Sequence, residues 1–185
     1  MGNSRADILA AARGILAEHS LADLTMRRLA TEVGVRPNAL YWHFPDKQTM
    51  LAALADDIVG RVRVDDGGEW DTALAGATAD LRAALLSVPD SAEVVSSARA
   101  SGLSSNDLSA RLEQRARAGG LPAPVAEGLA TALVQLTLGL TIEEQTRAQM
   151  ERLGVIGPSG RDFTGEFTRA VRVIVDGARS ALKPR

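Results

Sequence analysis

Between Thr25 and Gln48 the chain carries four basic side chains, Arg27, Arg28, Arg36 and Lys47, against only two acids, Glu32 and Asp46. Tyr41 and His43 stand in the same stretch. Guanidinium and ammonium groups bind phosphate oxygens, and exposed Tyr and His suit contacts to phosphates and thymine methyls. The local excess is two positive charges in a chain whose net charge is −2. Charge alone leaves two readings open, a phosphate-binding surface or an ordinary solvated helix face.

Catalytic chemistry finds less support. There is no cysteine, so thiolate nucleophiles, thiolate zinc sites and disulfides are excluded. The two histidines, His19 and His43, have no partner at helical ligand spacing. No Gly-x-Ser-x-Gly elbow occurs. Glu143 and Glu144 are adjacent, as are Asp56 and Asp57, and neighbours on a helix point apart rather than sharing a reacting atom. The expectation is a protein that is not an enzyme and needs no cofactor.

The elements that must position the basic stretch are helical. The chain is 45% hydrophobic and 24% charged, close to the globular average. Its apolar residues recur at three and four rather than two, which predicts an all-α fold. The first helix runs from Asp7 to Glu18, with Ile8, Leu9, Ala12, Ile15 and Leu16 on one face. Thr25 caps a second that ends at Gly34, and Pro37 opens a third that reaches His43 or Phe44 before Pro45 stops it. A fourth is expected from Asp46 to Arg63, ended by the Asp65-Asp66-Gly67-Gly68 cluster. Longer helices follow over 71–87, 92–99, 106–118, 123–153 and 161–182.

Two short helices meeting at Gly34-Val35 form a helix-turn-helix, whose second helix enters the major groove of DNA. The chain has six aromatic residues, and Tyr41, Trp42 and Phe44 crowd the end of that second helix. Phe44 and one of the Tyr41–Trp42 pair belong to the core. Trp42 is the ambiguous one, inward or facing DNA, because its neighbours on both sides point outward.

The run Thr25-x-Arg27-x-Leu29-Ala30-x-x-x-Gly34-Val35, then Leu40-Tyr41-x-His43-Phe44-x-x-Lys47-x-x-Leu51, resembles the DNA-binding signature of the tetracycline-repressor (TetR) family. The resemblance implies that Thr25 and Arg27 touch phosphates and that Arg36, Pro37, Asn38 and Ala39 face base edges. It also implies that Tyr41, His43 and Lys47 clamp the backbone, with Trp42 beside them. Residues 1–47 are then the DNA-binding domain and 48–185 a helical ligand-binding and dimerisation domain.

Ala84-Leu85-Leu86-Ser87 with Asp90, Gly120-Leu121, and Thr137-Leu138-Gly139 with Glu143-x-Gln145 are similar to the drug-binding domain of that family's tetracycline-responsive members. By that resemblance the ligand positions fall on Arg63, Ala77, Leu81, Val95, Ala98 and Glu143. Most have become apolar, and Glu143 alone cannot hold a hard cation. The implied ligand is therefore small and largely apolar and needs no magnesium. A filled core with Glu143 solvated is the other reading.

The segment Leu121 to Ile142 is the most apolar, but it carries Glu127 and two prolines near its start, so it is read as a buried helix rather than a membrane span. No signal-peptide pattern opens the chain, and the expected location is cytoplasmic. Leu129, Leu133, Leu136 and Leu140, and Phe163, Phe167, Ala170, Val171, Ile174, Ala178 and Leu182, form stripes wider than one buried face needs. Either they are an ordinary core or, the preferred reading, both helices build a homodimer. The resulting expectation is a homodimeric repressor on a palindromic operator, released when ligand tilts the fourth helix. The alternative is a helix-turn-helix activator or DNA-binding protein without a releasing ligand.

Overall fold

The computed structural model describes residues 4–182, and every regular element among them is helical. Helix α1 (Arg5–Glu18) starts at a reciprocal cap in which Ser4 and Asp7 satisfy each other's backbone amides. Helix α2 (Met26–Val33) begins where the Thr25 hydroxyl accepts the Arg28 amide at 3.1 Å. It ends at Gly34, whose φ of 76° lets the chain reverse while the Val35 amide returns to the Ala30 carbonyl. Helix α3 (Pro37–Tyr41) has Pro37 in its first turn, as anticipated.

Asp46 caps α4 (Lys47–Val59) through the Thr49 amide at 2.7 Å. The expected fourth helix reached Arg63; the observed one stops at Val59, with Gly60 as its cap. The reason lies in a later helix, α7 (Leu108–Ala118). Arg111 takes the carbonyl of Val62, and Arg115 takes those of Asp65, Gly67 and Gly68. Two guanidiniums thus hold the irregular connection from Val62 to Gly68.

The body comprises α5 (Trp70–Leu86), α6 (Ser91–Ser101), α7 (Leu108–Ala118), α8 (Ala123–Arg152) and α9 (Phe163–Arg179), with a final 3-10 turn, Ser180–Leu182. Helix α8 is long and apolar enough to cross a membrane by composition, yet it packs against α5, α6, α7 and α9. Leu129, Leu133, Val134 and Leu138 supply its buried face. One continuous core runs from Ile8 through α4 into the body. Each stripe divides into an inward and an outward part. Phe163, Phe167, Val171 and Ala178 turn inward, Leu136, Leu140 and Ile174 are half-buried, and Val173 is 71% exposed.

The α6–α7 loop is tied to α4 by one carboxylate. Asp56 accepts from the Ser104 hydroxyl at 2.6 Å and from the amides of Ser105 and Asn106 at 3.0 and 3.1 Å. Partial burial pushes this carboxyl up, but the donors outweigh it and hold its pKa below the usual range. A depressed folded pKa gives stability that is present above the unfolded value of about 3.9 and lost as pH falls through the folded value. Amide protection at Ser105 and Asn106 should therefore persist at pH 7 and decline below about pH 4. Asp56→Asn should show the unprotected loop already at pH 7; equal protection in variant and wild type would refute the tie.

Candidate nucleic-acid interface

The head is a scaffold with few anchors. Leu40 and Phe44 are buried, and they hold α3 against α1 and α2, whose inner faces supply Ile8, Ile15, Leu16, Leu29 and Ala30. The amides of His43 and Phe44 both fall on the Leu40 carbonyl, so the helix tightens and ends earlier than the expected His43 or Phe44. Everything else on α3 faces outward. Arg36, Pro37 and Asn38 are exposed, Ala39 is half-buried, and Tyr41 is exposed. Trp42, which the pattern left between core and surface, is 90% exposed. With Tyr41 at 48%, it makes an exposed aromatic pair at the end of α3.

The flanking polar residues share this environment. Thr25 and Arg27 are exposed at the start of α2, Lys47 is half-buried at the start of α4, and His43 is half-buried between them. Among the described residues, neither Arg27 nor Arg36 has a carboxylate partner. The Thr25 hydroxyl is already engaged as a cap, leaving its hydrogen free to donate to a phosphate. Lys47 Nζ stands 3.5 Å from the Leu21 carbonyl, a long contact that a phosphate could replace. The face thus offers unpaired cations around a protruding short helix.

Tertiary contacts tie the head both to α4 and directly to the body. Arg13 on α1 pairs with Asp57 on α4. The Leu21 amide donates to the Asp90 carboxylate at 2.7 Å, and Asp90 sits at the α5–α6 turn with a φ of 58°. Asp tolerates that left-handed conformation better than most residues, and here it aims the carboxylate at the head. Neither joint was evident from sequence, because each links residues far apart along the chain with no local pattern. Arg5, also missed, holds the end of α3 from α1.

The positions expected to bind ligand are less unified. Ala77, Leu81, Val95 and Ala98 all lie in the continuous core at 1–4% exposure. Arg63 is exposed and borders, with Ala77, an open groove of about 260 Å³. A second open groove of about 570 Å³ runs between α5 and α9. Neither reaches Leu81, Val95 or Ala98. Glu143 is on the outer side of α8, its side chain 57% exposed and bound to Arg161 at 2.7 Å. Arg161 also binds Glu166, and these two hydrogen-bonded carboxylates push its pKa up. The structure does not bring Glu143 to the four apolar positions. Among the described residues no group of three or more His, Cys, Asp or Glu is placed to hold a metal ion.

Comparison with known proteins agrees with this architecture. The family profile "Bacterial regulatory proteins, tetR family" matches residues 8–54, and "Tetracyclin repressor-like, C-terminal domain" matches residues 64–155. The class A tetracycline repressor from transposon 1721 of Escherichia coli is 32% identical over 144 residues, 75% of this chain but only 65% of that repressor's length. The crystal structure of Mycobacterium smegmatis BioQ superposes with a TM-score of 0.87 at 40% identity, covering 97% of this chain and 99% of that one. BioQ bound to its natural double-stranded DNA operator gives 0.77 at 37% identity, covering 96% and 99%. The chain therefore belongs to the TetR family of bacterial regulatory proteins and is a DNA-binding transcriptional regulator.

Proposed function

We propose that this regulator is a cytoplasmic, homodimeric repressor that reads a palindromic operator through α3 and is released by a small, largely apolar effector. Residues 1–47 form the reading unit, and 48–185 form the effector and assembly unit. It performs no catalytic step. The observation that carries the proposal is the outward face of α3, where Arg36, Asn38, Tyr41 and Trp42 are exposed around only two buried anchors. Two such helices one helical turn apart, about 34 Å, would meet two half-sites. BioQ with its operator supports the same use of the head.

Release would follow from the joints already described. An effector entering among Ala77, Leu81, Val95 and Ala98 must part α5 from α6, and Asp90 and α4 carry that shift to the head. Only preference for the released arrangement, not tight binding as such, can move the equilibrium.

Selection of operators from random duplexes tests the reading directly, with recovery of an inverted repeat as the expected result. On that operator, Lys47→Ala should weaken specific and random DNA about equally and lower the salt slope by roughly one. Asn38→Ala should instead relax discrimination at particular base pairs, at about 1–3 kcal/mol. Titrations of both variants on operator and random duplexes check the split. Equal losses for Asn38→Ala on the two DNAs would remove it from the base-reading set.

A further inference from the structure

Helix α3 is five residues long, little more than a turn, and so short a helix has no stability of its own. Its position depends on what grips it. Leu40 and Phe44 anchor one side through burial. Beyond Tyr41 the backbone leaves the helix, and the His43 carbonyl has no helical amide to accept. Arg5 meets that carbonyl. Its Nη1 donates to His43 O at 2.7 Å, and its guanidinium carbon lies 4.2 Å from the centre of the Phe44 ring. One planar cation thus satisfies the end of α3 and covers the ring that fixes it.

Among the described residues no acid competes for Arg5. Asp7, the nearest acid in sequence, is turned to Ser4, whose amide and hydroxyl it accepts at 2.8 Å each. Among the described residues Arg5 has no carboxylate partner. The Ser4–Asp7 cap starts α1 one residue ahead of Arg5 and so sets where the guanidinium can reach.

We propose that Arg5 is a positioning residue for operator recognition, fixing the end of α3 so that this short helix presents Arg36 and Asn38 to base edges in one arrangement, without itself touching phosphate. This rests on α3 being the recognition helix. The rival role, a direct phosphate contact, predicts a different salt response, because each neutralised phosphate contributes about 0.9 to the slope.

The test uses the full chain with Arg5→Met and Arg5→Lys on the selected operator and on random duplex across a salt series, alongside amide exchange without DNA. For Arg5→Met we expect roughly tenfold weaker operator binding, little change on random DNA, an unchanged salt slope, and faster exchange at His43 and Phe44. Arg5→Lys keeps the charge and a donor but loses the planar stack, so it should fall between. It carries the test if Arg5→Met does not fold. A slope lower by about one, with operator and random DNA weakened alike, overturns the proposal in favour of phosphate contact. Unchanged operator affinity also overturns it while leaving α3 as the reader. A wild type without sequence preference overturns the reading of α3 itself.

Discussion

Val173→Glu is expected to leave a folded monomer whose affinity for a full palindrome is lower by about 10²–10⁴, the gain that linking two binding modules ordinarily supplies. Val173 is 71% exposed in the protomer, so the change removes no contact of the protomer's own core. It lies on a face that helical spacing assembles from two helices: Val125, Gly128, Ala132, Leu136 and Gly139 on α8, and Ala170, Val173, Ile174 and Gly177 on α9. None of the nine is charged. Gly128, Gly139 and Gly177 have open space where a Cβ would stand. A glycine inside a helix costs about 0.8–1.0 kcal/mol relative to alanine, and nothing within the protomer requires that cost at these three places. A second copy approaching closely along this face would. Leu136→Glu and Ile174→Glu should act in the same direction, though both are half-buried, so Val173→Glu is the cleaner variant. Sedimentation gives the oligomeric state, and titration of whole and half operators gives the affinity loss. A Val173→Glu protein that remains dimeric, or a monomer that binds the whole palindrome as tightly as wild type, would exclude this face.

Local signals made the head legible. Thr25 as cap, Gly34 as left-handed turn and Pro37 as first-turn residue each act within a few residues, and each stands where the pattern put it. Tertiary hydrogen bonding was not legible. The fourth helix was expected to reach Arg63 because its apolar spacing continues to Val62, which is indeed buried. What stops it is Arg111 and Arg115, some fifty residues away, whose guanidiniums claim backbone carbonyls of the connection. Trp42 was ambiguous for a related reason. A side chain at the end of a short helix is placed by where that helix stops, and the stop at Tyr41 turns Trp42 outward. The same limit applies to the effector positions. Substitution to Ala77, Leu81, Val95 and Ala98 indicates an apolar environment but not whether neighbouring helices close over it.

Leu81→Ala addresses that question through stability. Leu81 is 1% exposed on the inner face of α5, within the core that also holds Val95 and Ala98. In a filled core the truncation loses both the transfer free energy of the removed carbons and a cavity term, about 3–5 kcal/mol in all. Beside a standing cavity the second term is largely absent and the cost approaches about 2 kcal/mol or less. We expect the larger figure, seen as a lowered denaturant midpoint with the slope unchanged. Two consequences separate a filled core from mere damage. The vacated space, lined by apolar side chains, should bind a small hydrocarbon such as benzene and regain part of the lost stability, as dry engineered cavities do. An effector that must open the wild-type core binds with affinity reduced by the fraction of molecules already open. Leu81→Ala lowers that barrier, so an apolar effector should bind the variant more tightly and release operator at lower concentration. A cost of about 2 kcal/mol or less, with the hydrocarbon bound by the wild type as well as by the variant, would show that the space beside Leu81 was open from the start.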